Sequence, residues 1–360
     1  MSKILVSIVS DQTIPNVIFI KELSSFDYYY FITTETMEKR GKCESIIKSS
    51  HLDNCIFKKI TVIEDDIEEI IKKLKNEFEF QDEDEIYINL TCGTKIMSIA
   101  VYNFFKDYNS KIFYIPIGKN IYKKIFPISK SIEKEIKYRI NLYDYLKAYN
   151  IDTESSNKKE LTYDYLFTQN VFNKYIETPF DKEIINILRE QRGKNNPSID
   201  YDNSKIKEFL IRYGLPDKLN KKDINYITGG WFEEYVYYKI KQLLQLTDDN
   251  IDLNLRVKRN GIDNELDVIF VFDNKLYVIE CKTIIKTKED HLYNNSLYKL
   301  AAIKKDYGLD VQGFIFVLED VNADLKKRAN VYNVITIDKQ SLINPDIFND
   351  NFLKFFKNKE

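Results

Sequence analysis

Two strand-like segments joined by a two-residue loop constrain the fold of this 360-residue chain more than any other feature. The segments are ELDVIFVF and KLYVIECKT. The residues between them, Asp273 and Asn274, favour a tight β-hairpin turn. With that pair as the loop, counting back along the strands places Asp267 opposite Glu280. Because side chains alternate along a strand, Lys282 shares their face. Two acids and a lysine are therefore expected to converge on a half-buried face.

This arrangement is costly for a purely structural hairpin. Like charges opposed on a sheet repel each other, and burying one unpaired charge costs several kcal/mol. A divalent cation removes the conflict, and oxygen ligands suit Mg²⁺ or Mn²⁺. Lys282 would then neutralise charge on an attacked phosphate or orient the nucleophilic water. The alternative is a surface hairpin in which Lys282 makes a simple ion pair, although both strands are apolar on both faces.

A third acid is expected from the helix that follows the glycine pair Gly229 and Gly230. The buried stripe of this helix is predicted to contain Phe232, Val236, Ile240 and Leu243. Glu233 lies beside that stripe, whereas Glu234 is expected to face solvent. The candidate catalytic residues are Glu233, Asp267, Glu280 and Lys282, and the first three are the candidate metal ligands.

Composition excludes several other classes of protein. The formal charge of −2 gives no global basic signature, so contact with nucleic acid must depend on local patches or bound metal. The four cysteines are scattered without a CxxC pair, which argues against zinc and disulfide frameworks. No apolar run approaches the roughly 20 residues that cross a bilayer. We therefore expect a cytoplasmic protein with no membrane contact.

Patterning along the chain predicts an α/β protein of three parts, residues 1–140, 141–225 and 226–360. Strand-like runs alternate with helical patterns in the first part, as in a parallel α/β sheet. These runs are KILVSIVS, YYYFITT, CIFKKITV, EIYINL and KIFYIPI. The second part reads as a small helical connector with no convincing strand. The third part reads as helix, three strands, helix and strand.

Polar loops follow two strands of the first part. The segments SDQTIPN and TCGTK both lead from a strand into a helix, which is where α/β sheets bind anions and nucleotides. Backbone amides, hydroxyls and an ammonium group there suit phosphate. The candidate ligand-binding residues are Ser10, Asp11, Gln12, Thr13, Asn16, Thr91, Gly93, Thr94 and Lys95. The alternative for the second loop is ordinary helix capping by Thr91 or Thr94.

The C-terminal residues resemble the core of PD-(D/E)xK nucleases. Glu233, the ELDV strand and the IECK strand match that core in order and spacing, and they imply a restriction-endonuclease-like αβββαβ domain. The opening GGWFEEYV and the LYKL helix are more narrowly similar to the CARF-linked nucleases of type III CRISPR systems. Lys299 of that helix is expected either to line the substrate groove or to remain a solvated lysine.

The N-terminal loops are similar to those of the CARF domain, a Rossmann-like dimer that binds cyclic oligoadenylates. The segment TCGTK has Cys92 where this family usually has glycine (TGGTK). The conformational freedom that glycine gives the backbone at this position is therefore in doubt. The resemblance implies a homodimer that is activated by cyclic tetra-adenylate. It also implies that Mn²⁺ or Mg²⁺ supports cleavage of single-stranded RNA or DNA, or nicking of supercoiled DNA. The biological role implied is antiviral defence. Two rival functions stay open: a ligand-sensing regulator that binds nucleic acid without cleavage, and a repair or restriction-like nuclease that needs no activator.

Overall fold

The computed structural model describes residues 1–128, 132–153, 161–259, 261–284 and 291–356. An N-terminal seven-stranded sheet has the strand order β3-β2-β1-β4-β5-β6-β7. Its strands are β1 (Lys3–Ile8), β2 (Tyr28–Thr33), β3 (Ile56–Thr61), β4 (Glu85–Asn89), β5 (Ser110–Tyr114), β6 (Ile121–Phe126) and β7 (Ile132–Glu135). The first five are the predicted strands and pair in parallel. The antiparallel strands β6 and β7 were not predicted.

Helices cover this sheet and join its parallel strands. They are α1 (Ile14–Leu23), α2 (Glu35–Lys39), α3 (Lys42–Ser49), α4 (Ile67–Glu77) and α5 (Lys95–Phe105). Crossover helices between parallel strands place the loops that follow β1 and β4 at one edge of the sheet. These are the two loops in which the sequence predicts a phosphate site.

The connector is mostly helical. Its helices are α6 (Leu142–Ala148), α7 (Tyr165–Glu177), α8 (Lys182–Glu190), α9 (Ser204–Tyr213) and α10 (Lys221–Asn225). The expectation that it contains no strand is wrong, because β8 (Asp152–Thr153) pairs with the C-terminal sheet. A two-residue edge strand carries too little hydrophobic alternation to be recognised in the sequence.

The C-terminal part contains a six-stranded sheet of order β13-β12-β11-β10-β9-β8. Its remaining elements are a π-helix (Tyr226–Gly230), α11 (Trp231–Leu243), β9 (Ile251–Arg259), β10 (Ile262–Phe272), β11 (Lys275–Lys282), α12 (His291–Asp306), β12 (Val311–Val317), α13 (Ala323–Val331), β13 (Val334–Ile337), α14 (Lys339–Ile343), α15 (Pro345–Phe352) and a 3₁₀ turn (Leu353–Phe355). The predicted helix, three strands, helix and strand are α11 to β12. The elements after β12 extend that core.

The two sheets share one hydrophobic cluster. It combines residues of β1, α1 and α6 with residues of β9 to β12, so the N-terminal and C-terminal parts are packed together through a common core. No helix in the described ranges has the length and apolar character needed to cross a membrane.

The N-terminal part also holds the loop of the β10–β11 hairpin. Asn274 Nδ2 donates to Asn120 Oδ1 at 2.9 Å and to the Tyr138 carbonyl at 3.0 Å, while its Oδ1 accepts from the Ile140 N–H at 2.9 Å. Asn274 is buried, with 7% of its surface exposed. Because buried polar groups are costly unless paired, these bonds fix the loop against the N-terminal part.

Candidate active site and ligand-binding loops

The hairpin that carries two of the predicted acids folds in the predicted register. Its two loop residues have φ angles of 54° and 64°, the left-handed values of a type I′ turn. The strand pairing continues from that loop to Val268 opposite Ile279. Asp267 and Glu280 are the next residues on the two strands. The predicted convergence of these acids is therefore present in the structure.

Asp267 lies where a negatively charged carboxylate is unfavourable. Its carboxylate accepts a hydrogen bond from the Cys281 N–H at 2.8 Å. Burial raises the pKa of Asp267 to about 7, the negative charges of Glu280 and Glu233 add to that shift, and Lys282 opposes it. Such a shift marks an excess of negative charge in a poorly solvated place.

Glu280 is held by two lysines. It is 2% exposed, and Lys282 Nζ lies 3.2 Å from its Oε2 and 3.7 Å from Asp267 Oδ2. Lys299 Nζ contacts Glu280 Oε1 and donates to the Glu265 carbonyl at 2.6 Å. The expectation that Lys299 remains a solvated helix lysine is therefore wrong, because its ammonium group reaches the buried carboxylate.

Lys282 stays protonated in this setting. Burial alone lowers the pKa of a lysine, and here it is the largest single influence, but the charges of Asp267 and Glu280 outweigh it, so the pKa of Lys282 is raised. A protonated lysine beside two carboxylates can stabilise negative charge on a bound phosphate.

The two adjacent glutamates of α11 have different environments. Glu233 is partly exposed, and its charge contributes to the raised pKa of Asp267. The expectation that Glu234 faces solvent is wrong, since it is 4% exposed. Its carboxylate accepts hydrogen bonds from the N–H groups of Thr162 and Tyr163, at 2.8 and 3.3 Å. The connector therefore packs on the face of α11 that the helical pattern assigned to solvent.

The donor set fits a hard divalent cation in its chemistry. Asp267, Glu280 and Glu233 would supply oxygen ligands, and a cation there would offset the burial and the neighbouring negative charges that raise the pKa of Asp267. Within the described ranges, however, no three acidic, histidine or cysteine side chains are already arranged around one metal position. Lys282 and Lys299 hold Glu280, so a cation that binds there must displace an ammonium group.

A large cleft opens beside Glu233 and Lys282. It has a volume of about 1030 Å³ and is lined by Glu233, Cys281 and Lys282 on the C-terminal side. Four polar residues of the connector line it as well, namely Lys182, Asn186, Arg189 and Arg192. Sequence analysis missed them, although their spacings of four, three and three residues are those of one helix face.

The loop after β4 forms the N-terminal end of α5. Thr94 Oγ1 accepts from the Met97 N–H at 3.1 Å and donates to the Glu64 carbonyl at 2.8 Å. The capping alternative is therefore confirmed for Thr94. Gly93 and Lys95 are exposed beside it. The positive N-terminal end of α5 and the Lys95 ammonium group can therefore attract an anion.

Other predicted ligand-binding residues make bonds inside the protein. Asn16 Nδ2 donates to the last carbonyl of β1 at 3.0 Å, and its Oδ1 accepts from Asn89 Nδ2 at 2.9 Å. Thr91 Oγ1 donates to Asn89 Oδ1 at 2.5 Å. The Thr13 hydroxyl contacts the Ala148 carbonyl. Asn16 and Thr13 are fully buried. These three side chains position the two loops, and a role for them in ligand contact stays a prediction.

The loop after β1 is anchored at three consecutive residues. Ser10 Oγ accepts from the Gln12 N–H at 3.2 Å. Asp11 pairs with the Arg40 guanidinium at 2.8 Å. Gln12 Oε1 accepts from the Leu309 N–H, just before β12, at 3.1 Å. A predicted ligand-binding residue thus contacts the C-terminal part directly.

Substitution of Gly93 by Ala is expected to destabilise the protein by roughly 1–3 kcal/mol. Gly93 has a φ of +84°, and a Cβ there would lie 2.4 Å from Ile8 Cγ2. Gly193→Ala is the matched control, because Gly193 has a φ of +76° but open space around it. Urea unfolding measures both variants. Equal losses of stability would show that the contact with Ile8 is unimportant.

Known proteins show the same two-part organisation. A family model described as the Card1 CARF domain matches residues 4–145, and one described as the Card1-like endonuclease domain matches residues 220–349. No curated protein matches the chain.

Solved structures match across the whole chain. Can2 from Sulfobacillus thermosulfidooxidans, solved in complex with cyclic tetra-adenylate, aligns with a TM-score of 0.73 and 17% identity over 99% of this chain and 97% of its own. Protein VC1899 from Vibrio cholerae gives 0.74 and 19% over 99% and 98%. A type III CRISPR defence DNA nuclease activated by cyclic oligoadenylate gives 0.58 and 15% over 90% and 46%. With sequence identities of 15–19%, these matches show that the chain shares the fold of the three proteins.

The fold and the two family matches define a two-domain protein, a CARF domain followed by an endonuclease domain. The predicted fold class and the expectation of an endonuclease are confirmed. Its N-terminal domain belongs to the family described as the Card1 CARF domain, and its C-terminal domain belongs to the family described as the Card1-like endonuclease domain.

Proposed function

We propose that this protein is a cytoplasmic homodimer in which a cyclic oligoadenylate, specifically cyclic tetra-adenylate, binds the CARF domains and activates metal-dependent cleavage of single-stranded RNA or DNA by the endonuclease domains. Nicking of supercoiled DNA is a further activity of the same chemistry. The role of such a nuclease is antiviral defence in a type III CRISPR system.

The proposal of metal-dependent cleavage rests on one observation, the convergence of acids and lysines at the cleft. Glu233 and Lys282 line the cleft, and Asp267 and Glu280 lie within reach of Lys282. Asp267, Glu280 and Glu233 would hold Mn²⁺ or Mg²⁺. The bound cation supplies Lewis acidity and a more nucleophilic water. Lys282 then neutralises charge on the scissile phosphate, since its ammonium group is protonated and directed at the same carboxylates.

Two contacts support a route from the activator to the active site. Gln12, in a predicted ligand loop, accepts a hydrogen bond from the Leu309 N–H, just before β12. Asn274, between the two strands that carry the acids, is bonded to Asn120 of the CARF domain. A ligand shifts such a two-domain arrangement only if it binds one state more tightly than another. The first contact connects a ligand loop directly to the C-terminal sheet, and the second connects the CARF domain to the hairpin, so together they give that differential binding a structural basis.

The experiment that tests the proposal uses labelled single-stranded RNA and DNA with Mn²⁺ or Mg²⁺, with and without cyclic tri-, tetra- and hexa-adenylate. Cleavage only in the presence of cyclic tetra-adenylate is the expected result. Cleavage without any activator would favour a repair or restriction-like nuclease. Binding of the strand without cleavage under every condition would favour a regulator that does not cut.

Substitution of Lys95 by Ala is expected to raise the activator concentration needed for half-maximal cleavage by about tenfold or more, because a charge-assisted phosphate contact is lost. The rate at saturating activator should be largely retained. Lys106→Ala is the control, since Lys106 is an exposed lysine at the other end of the same helix. An unchanged activation curve for the Lys95 variant would exclude this loop from the ligand site.

A further inference from the structure

We infer that the connector forms the wall of the cleft that binds the phosphate backbone of the substrate, with α8 and the residues after it supplying the charges. This inference rests on the proposed function and extends it to the way in which the strand is held. Residues 146–219 of the connector lie between the two family matches, which end at residue 145 and resume at residue 220.

The geometry of α8 directs one polar face at the cleft. Lys182, Asn186 and Arg189 are spaced as i, i+4 and i+7, so they share a face. All three are exposed and line the cleft, while Ile184 and Leu188 on another face are buried. The buried residues fix the helix, and its polar face is left for solvent or a ligand.

The charges on this face are not used inside the protein. Across the ranges that the structure describes, neither Lys182 nor Arg189 makes an ion pair. The acidic lining residues Glu233, Glu319 and Asp320 come instead from α11 and from the segment after β12. Among the described lining residues, the charged side chains of the connector wall are therefore all cationic, whereas the opposite wall combines those acids with Lys282 and Lys339. A polyanion whose scissile phosphate reaches the metal site would pass along the cationic wall.

Arg192 continues the same row and is held in a fixed orientation. Its Nε donates to Thr228 Oγ1 at 2.6 Å, and that hydroxyl donates to the Ile224 carbonyl at 2.6 Å. A Cβ on Gly229 would lie 2.7 Å from the Arg192 guanidinium, so the glycine makes room for it. In the described structure, the two terminal nitrogens of Arg192 have no protein acceptor. A guanidinium oriented in this way is prepared to bind a phosphate.

Aromatic rings between the two walls favour a single strand. Tyr175 and Phe180 are half-buried and line the cleft together with Trp231. The ring centroids of Tyr175 and Phe180 lie 4.9 Å apart, and both rings also pack against Trp231, so the three rings form one aromatic cluster that lines the cleft. Unpaired bases can stack on aromatic side chains, whereas the bases of a duplex are already stacked. The predicted occupant is therefore a single-stranded nucleic acid.

The test measures binding of a labelled 20-nucleotide single strand by the full-length protein, with a chelator present so that cleavage does not interfere. The double variant Lys182→Ala/Arg189→Ala is compared with wild type over a range of salt concentrations. Loss of two phosphate contacts is expected to reduce the slope of log affinity against log salt by about 1.4. The control double variant Lys218→Ala/Lys221→Ala removes two exposed connector lysines outside the cleft, and its slope should match wild type.

The outcomes separate this inference from the proposed function. A wild-type slope in the Lys182/Arg189 variant, an equal loss in the control, or no binding of the strand by wild type would overturn the inference. Tighter binding of a 20-base-pair duplex than of the single strand would overturn the assignment of the occupant. Weaker strand binding by the Lys182/Arg189 variant, together with no cleavage by wild type when metal and activator are added, would support the connector as the strand-binding wall. The same result would contradict the proposed nuclease mechanism.

Discussion

Asp267→Asn and Glu280→Gln should each reduce cleavage by at least about a hundredfold while the protein remains folded. Each change removes an oxygen ligand of the proposed cation. Asp267→Asn also removes a negative charge from a buried position where the charges of Glu280 and Glu233 disfavour it, as the raised pKa of Asp267 shows, so the stability of this variant should be maintained or increased. Glu280→Gln removes the carboxylate that Lys282 and Lys299 share, so this variant should be somewhat less stable while it remains folded. Cleavage of labelled strands at saturating activator and metal, together with thermal unfolding, measures the two effects.

The matched control for these variants is Asp263→Asn. Asp263 lies on the same strand as Asp267 and on the same side of it, but it is exposed near the far end of the strand. Its substitution should leave cleavage unchanged. If an Asp267 or Glu280 variant cuts at the wild-type rate under saturating metal, the site has been assigned to the wrong residues. If the loss of cleavage coincides with unfolding, the residues are structural rather than catalytic.

Lys282→Ala should lower cleavage at every activator concentration by about a hundred- to a thousandfold, the cost of removing a group that stabilises charge in a transition state. Its affinity for cyclic tetra-adenylate should stay close to that of wild type, because Lys282 lies at the cleft and not in the ligand loops. Cleavage titrations and direct binding of labelled activator measure the two quantities. This pattern is the reverse of that expected for Lys95→Ala.

Lys258→Ala provides the comparison for Lys282→Ala, because Lys258 is an exposed lysine of the neighbouring strand β9. It should cleave as wild type does. Loss of activator binding in the Lys282 variant would contradict the proposal that the CARF domain binds the activator and the endonuclease domain cleaves the substrate. A normal rate would show that another cation, such as Lys299, neutralises the phosphate.

Local sequence patterns predicted the hairpin well. The loop type and the register follow from two adjacent residues and from alternation along the strands, so the approach of Asp267 to Glu280 could be counted from the sequence. The five parallel strands were recognised for the same reason. The lysine- and glutamate-rich strands β6 and β7 were missed because they carry little apolar alternation.

Features that depend on distant packing could not be predicted. The helical pattern placed Glu234 towards solvent, but a connector segment about 70 residues earlier covers it and binds its carboxylate. The same cause hid the role of Lys299, whose partner Glu280 is 19 residues away on another element. The cationic face of α8 was visible as a spacing, but only the fold shows that it faces the cleft.

The hydrogen bonds of Asn274 make the β10–β11 hairpin a rigid link between the two domains. One end of the hairpin is fixed to the CARF domain, and about 20 Å along the strand the other end holds the buried Glu280, next to Cys281 and Lys282 at the cleft. Paired strands are stiff along their length, so a small tilt of one sheet against the other moves the carboxylates relative to the connector wall without breaking a hydrogen bond of the hairpin. A rigid displacement of the CARF domain would therefore change the geometry of the proposed metal site in the endonuclease domain.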